Sequence, residues 1–140
     1  VLERKKLFEL TEQGEKIIAE LGLKIKKDKN QSIEHSYYIE KIKQLLEKIG
    51  WTVFKEKSDI DLVAQIGERT VAIEVETGKN NTDQIEKNVG KLVQFAAADK
   101  FILATNESAN IKIQNLISKI GFSEPLHLYP IKEFIKNPPI

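Results

Sequence analysis

Four acids in the chain fall into two alternating pairs, Asp59 with Asp61 and Glu74 with Glu76. Carboxylates at every second position of a strand point to one face of it. They fall in or beside two alternating apolar runs, Ile60–Ile66 and Arg69–Glu76, joined by Gly67-Glu68. A two-residue Gly-X connection favours a type II′ hairpin turn. Ile66 then pairs with Arg69, Asp61 lies opposite Glu74, and Asp59 lies opposite Glu76. The spacing therefore predicts four carboxylates on one hairpin face. The other face carries Ile60, Leu62, Ala64, Ile66, Val71, Ile73 and Val75, a core face.

Opposed side chains in an antiparallel pair have Cβ atoms roughly 4.5–5.5 Å apart, and like charges there repel. Two kinds of compensation are open. Lys55, Lys57 and Lys79 can balance a solvent-facing acidic face, or a divalent cation can bind it. Mg²⁺ takes oxygen ligands at about 2.0–2.1 Å and keeps several waters, so two carboxylates on adjacent strands suit it. Cysteine is absent, so any metal must be held by oxygen or imidazole.

The elements that position these acids can be read from periodicity. Ser32 caps a helix running to about Ile49, with Ile39, Ile42, Leu46 and Ile49 on one face and Gly50 at its end. Trp51–Lys55 alternates as a strand. After the hairpin, Thr77–Asn81 is a polar loop. Asn81 with Gln84 forms a capping-box variant for a helix burying Ile85, Val89, Leu92, Val93 and Ala96. Phe101–Ala104 is continuously apolar, as a strand buried on both faces should be. Ile111–Ile120 reads as a helix closed by Gly121, Leu126–Tyr129 as a last strand, and Ile131–Ile135 as a final helical turn or two.

The segment from Ser58 to Ala64, followed by Val71 to Lys79 with Glu74-Val75-Glu76, resembles the core motif of the PD-(D/E)XK nuclease superfamily. The resemblance spans roughly residues 32–129. It implies a restriction-endonuclease-like fold: an α/β domain over residues 31–140, with a mixed sheet flanked by helices in the order α-β-β-β-α-β and a C-terminal extension. It implies a metal-dependent nuclease hydrolysing DNA phosphodiester bonds with Mg²⁺ or Mn²⁺. Asp61 and Glu74 are the implied metal ligands. Asp59 fits less well, because apolar strand residues should follow the motif acid, as Leu62 and Val63 follow Asp61.

The chain departs from the pattern at Glu76, where the family usually has Lys, although some restriction endonucleases of the superfamily carry Glu there. Glu76 is then a ligand or a group orienting water, and Lys79 or Lys87 could supply the missing cation. The next helix should turn an Asn and a Lys toward the site, which nominates Asn88 and Lys91. The first helix should bring an acid or His near the metal, which nominates Glu40 and His35. Asn88, Lys87, Lys91 and His35 are the expected contacts to nucleic acid.

Residues 1–30 read as a separate helix, about Thr11–Leu21, and a Lys-rich linker. Leu7 to Lys16 resembles the last strand and final helix of a winged-helix DNA-binding domain. The apolar positions Leu7, Leu10, Ile17 and Leu21 would suit packing against a second copy. The first residue is Val1 and methionine is absent, which suggests a piece of a longer protein or a processed chain. The composition, 41% hydrophobic and 31% charged, supports one core. No apolar run approaches a membrane span, and no secretory signal is visible. A cytoplasmic DNA-binding protein, homodimeric or part of a larger assembly, is the expectation. Net charge is only +1, so no uniformly basic surface announces nucleic acid. Glu76 keeps open a non-catalytic reading, a nuclease-like domain that binds DNA or a partner within a larger DNA-processing protein.

Overall fold

Tyr38, Ile39, Ile42 and Leu46 recur at helical spacing and are buried on one face of α1 (Ile33–Lys48), in a computed structural model that describes residues 33–121 and 126–140. The expected helix of residues 1–30, and Ser32 as a cap, lie outside the described residues. Ile49, placed on the same face from the sequence, falls beyond the helix end and is 48% exposed. Gly50 comes next with a φ of +105°, a left-handed conformation that glycine adopts without strain.

The chain then forms β1 (Thr52–Lys57), β2 (Ile60–Ile66) and β3 (Arg69–Glu76), α2 (Thr82–Gln94), β4 (Asp99–Ala104), α3 (Glu107–Ile120), β5 (Leu126–Pro130) and α4 (Ile131–Lys136). The five strands form one mixed sheet in the order β1-β2-β3-β4-β5, antiparallel up to β3 and parallel from β3 to β5. The described order starts α-β-β-β-α-β as expected. The elements after β4 are not an appendage, because β5 joins the sheet beside β4 and α4 packs into the core.

Helices cover both faces. On one side α1 and α4 pack over Leu62, Ala64, Val71, Ile73 and Phe101. On the other, α2 and α3 pack over Ile60, Val63, Ala72, Ile102 and Ala104. The central strands β3 and β4 are buried on both faces over most of their length, which accounts for their near-continuous apolar sequence. Fully burying a side chain such as Phe134 or Leu103 contributes about 1.5–3 kcal/mol.

The hairpin register is the one the Gly67-Glu68 turn dictates. Ile66 pairs with Arg69, and Leu62 with Ile73. Gly67 has a φ of +57°, as the first central residue of a type II′ turn requires. Three details differ from the sequence expectation. Ile66 is 43% exposed rather than core. Ile60 packs with Val63 and Ala72, not with Leu62. Ala96 lies past the end of α2 and is exposed.

Several ends also differ. β1 runs on to Lys57, and α3 starts four residues before Ile111, at Glu107. Asn106 makes that earlier start: its side chain accepts from the Ala109 N–H at 2.8 Å, satisfying a donor that the helix cannot. Asn81 caps α2 in the same way, accepting from the Gln84 N–H at 2.8 Å. The reciprocal half of the expected capping box is missing, because the Gln84 side chain donates to Asn88 instead.

Candidate active site

Asp61 stands at the start of β2 and Glu74 near the end of β3, one step beyond the paired Leu62 and Ile73. The two carboxyl groups lie close enough to act on one another's titration. Glu74 is buried, and its Oε1 has no hydrogen-bond partner. Asp61 is better supplied. Its Oδ2 accepts from the Val75 N–H at 2.9 Å and bonds His35 Nε2 at 3.1 Å. His35 projects from the first turn of α1, on the stripe that continues through Ile39, Ile42 and Leu46.

Three titrating groups are consequently displaced. For Glu74, burial acts first, and the charge and hydrogen bond of Asp61 add to it, so its carboxyl lies well above the usual range. Lys91 and the Asp61 backbone N–H pull it back only in part. Burial works on Asp61 in the same direction. There, however, the hydrogen bonds from His35 and Glu74, the charge of His35 and the Val75 N–H win, and its carboxyl lies below the usual range. Burial opposes the charged form of His35. The Asp61 hydrogen bond and charge, the charge of Glu76 and the Val75 backbone outweigh it and raise the imidazole. These influences favour the charged form of Asp61 and the neutral form of Glu74.

Asp59 does not join this face. Ser58 and Asp59 have φ of 55° and 62° and form the turn between β1 and β2, so the alternation stops at Ile60. Asp59 contributes its backbone carbonyl, which accepts from Lys91 Nζ at 3.3 Å. The fourfold acidic face inferred from spacing is thus reduced to three carboxylates.

The third of these, Glu76, is also buried, but it is turned into its own loop. Its Oε1 accepts from the Gly78 N–H at 2.9 Å, and Asn80 Nδ2 lies 3.2 Å from Oε2. The loop is fastened to α3 as well. Asn106 Nδ2 donates to the Thr77 carbonyl at 2.7 Å, and Lys112 Nζ to the Gly78 carbonyl at 2.8 Å. Sequence reasoning missed Asn80 and Lys112. The neighbouring pair Asn80-Asn81 was a usable signal, since only one Asn can cap α2.

The α2 candidates separate by their angle round the helix. Ile85, Val89 and Leu92 are buried, and Gln84, Asn88 and Lys91 flank them at positions i, i+4 and i+7. Asn88 lines a small cavity with Glu74 and Glu76, and its Oδ1 accepts from Gln84 Nε2 at 3.0 Å. Lys91 acts electrostatically on Glu74. Lys87, further round the helix, is exposed, as is Lys79. Glu40 lies away from the site, on the exposed side of α1, where it pairs with Lys55 at 2.8 Å.

Among the described residues, no group of three or more His, Asp or Glu side chains is arranged to hold a metal ion. The pair Asp61 and Glu74 still fits a hard cation of the Mg²⁺ kind, which is commonly bound through one or two carboxylates with water completing its shell. The partnerless Glu74 Oε1 is the observation that favours this fit. A divalent ion there would give that oxygen a partner and offset the burial and the Asp61 charge that disfavour ionised Glu74. Among the described residues no helix is long and apolar enough to cross a membrane. Comparison of the chain with protein-family models, curated proteins and solved structures gives no match.

Proposed function

We propose that this chain is a divalent-metal-dependent nuclease of the PD-(D/E)XK type that hydrolyses DNA phosphodiester bonds. The observation that carries the reading is the placement of Asp61 and Glu74 on adjacent strands, each acting on the other's titration, with one buried Glu74 oxygen left without a partner. Asp61 and Glu74 hold Mg²⁺ or Mn²⁺. Such an ion lowers the pKa of an attacking water and offsets charge on the phosphate. Lys91, whose charge reaches Glu74, takes the role of the cation that Glu76 cannot supply, and with Asn88 it contacts the phosphate. Glu76 holds the loop after β3. Lys79 and Lys87 bind the DNA backbone from the exposed surface.

The engagement of Glu76 with Gly78 and Asn80 supports a second reading, a domain of the same descent that binds DNA without cutting it. One assay separates the two. Wild type and Asp61→Asn are incubated with plasmid, linear duplex, flap and single-stranded DNA, in Mn²⁺ or in chelator. Cleavage by wild type alone, and only with Mn²⁺, is the expected outcome. Wild type that retains DNA in a binding assay and cuts none of these forms decides for the non-catalytic reading.

A further inference from the structure

We infer that His35 is a positioning residue: it fixes the Asp61 carboxylate so that one oxygen is committed to the protein and the other is presented to a cation beside Glu74. The inference rests on the cation reading above and deepens it. Two protein donors to Asp61 converge on a single atom, Oδ2, the Val75 N–H at 2.9 Å and His35 Nε2 at 3.1 Å. A carboxylate held at one oxygen by two donors from different directions has little freedom to rotate. Its Oδ1 takes neither of these bonds, and Glu74 is the neighbouring carboxyl whose presence acts on Asp61.

The geometry also argues against two other roles for His35. Donation from Nε2 requires a proton on that nitrogen, in the neutral tautomer as in the imidazolium, so Nε2, the nitrogen facing Asp61, cannot ligate the same ion. Contact with nucleic acid is the second. The ring sits on the buried stripe of α1, and its side chain is 14% exposed. A partner that orients a metal ligand typically changes metal affinity by about 10–100-fold when it is lost. Here the Val75 N–H remains in every side-chain variant, so a loss of about tenfold is expected rather than complete loss.

The test is calorimetric titration of Mn²⁺ into wild type, His35→Gln, His35→Leu and Asp61→Asn, with the melting temperature of each measured in chelator. Gln retains an N–H donor at a similar reach. Leu fills the space without one. Wild type and His35→Gln should bind Mn²⁺ within about threefold of each other, and His35→Leu about tenfold or more weakly. That difference should not track the melting temperatures. Equal affinity of His35→Leu and wild type overturns the inference. So does an equal loss in His35→Gln and His35→Leu, which would make the imidazole itself the ligand. Should His35→Leu not fold, His35→Gln decides alone: retained affinity supports the inference and lost affinity overturns it. Wild type that takes up no Mn²⁺ overturns the cation reading and this inference with it, a failure distinguishable from the others because binding is then missing in the unmutated protein.

Discussion

The backbone N–H of Val75 donates to the side chain of Asp61 at 2.9 Å, so an acid of β2 satisfies a main-chain donor of β3. Asp61 is therefore part of the fold as well as of the site. Asp61→Ala leaves both this N–H and the His35 donor without their acceptor in a part-buried place. Each such loss costs about 1–3 kcal/mol, partly offset here because alanine has no charge to bury. The expected net loss in urea unfolding at pH 7 is about 1–3 kcal/mol. Asp61→Asn keeps an acceptor for Val75 and should lose less. The depressed carboxyl of Asp61 sets the pH window. Its contribution is present above the ordinary carboxylate range and disappears as pH falls through the lower folded value, so variant and wild type should converge in acid. Equal stability of Asp61→Ala and wild type at pH 7 would show that the Val75 bond contributes nothing.

Glu74 has the opposite sign. Its folded carboxyl titrates well above the ordinary value of 4.5. Below that value both folded and unfolded chains hold the proton. Above it the unfolded chain releases the proton first, so stability falls as pH rises until the folded carboxyl has also ionised. Glu74→Gln should remove this slope. In chelator it should match wild type near pH 4 and exceed it at pH 8. Added Mn²⁺ should reverse the order at pH 8, because the ion binds only the ionised carboxylate of the wild type. At a hundredfold excess over Kd that binding stabilises by about 2.7 kcal/mol. Melting curves across pH, with and without Mn²⁺, check both halves. A wild type indifferent to Mn²⁺ at pH 8 would remove the basis for a cation at this pair.

The contrast between these acids and Asp59 marks where sequence reasoning holds. The Gly67-Glu68 turn sets every pairing along the hairpin, so the meeting of Asp61 and Glu74 could be read from spacing. Asp59 was placed by extending the same alternation one step too far, into a turn whose residues adopt left-handed φ. Ser58-Asp59 is a plausible turn pair, and reading it as one would have removed Asp59 from the face. The His35–Asp61 bond was not readable from spacing, and only the resemblance nominated His35 for a place near the acids. The residues are 26 apart, and their meeting depends on how α1 lies across the sheet, which no local period encodes. The engagement of Glu76 depends likewise on the conformation of the 77–81 loop.

Two glycines on either side of α2's start predict opposite outcomes. Gly78 has a φ of +83°, and a Cβ built there would lie 3.2 Å from the Ala109 N. Gly78→Ala combines a left-handed penalty of about 1–2 kcal/mol with displacement of the start of α3. It should destabilise by at least that much, and it should loosen the loop that holds Glu76. Gly90 lies inside α2 with nothing near its missing Cβ. Gly90→Ala should stabilise by about 0.5–1 kcal/mol by reducing the freedom of the unfolded chain. Chemical denaturation of both variants reads the difference, and a destabilised Gly90→Ala would mean that α2 needs its close approach to something at that position.

Lys91 and Lys87 stand one turn apart on α2, and only Lys91 acts on Glu74. Replacing each in turn by Met separates a cation acting within the site from one on the exposed surface. Loss of the Lys91 charge should raise the Glu74 carboxyl further, since that charge is one of the two influences lowering it. Loading of the pair with Mn²⁺ should then require a higher pH, and the rising limb of the cleavage profile should move upward. Cleavage at neutral pH should fall about tenfold or more if Lys91 also stabilises charge on the phosphate, a role whose removal elsewhere costs about a hundredfold or more. Lys91→Arg should recover part of the activity and return the pH limb toward that of wild type. Lys87→Met should leave the limb in place and weaken DNA binding only through lost backbone attraction, an effect that shrinks as salt rises. Cleavage rates for the three variants across pH, at low and high salt, provide the measurement. If Lys91→Met and Lys87→Met behave alike in both respects, Lys91 is only a surface lysine, and the positive charge missing at Glu76 must come from elsewhere.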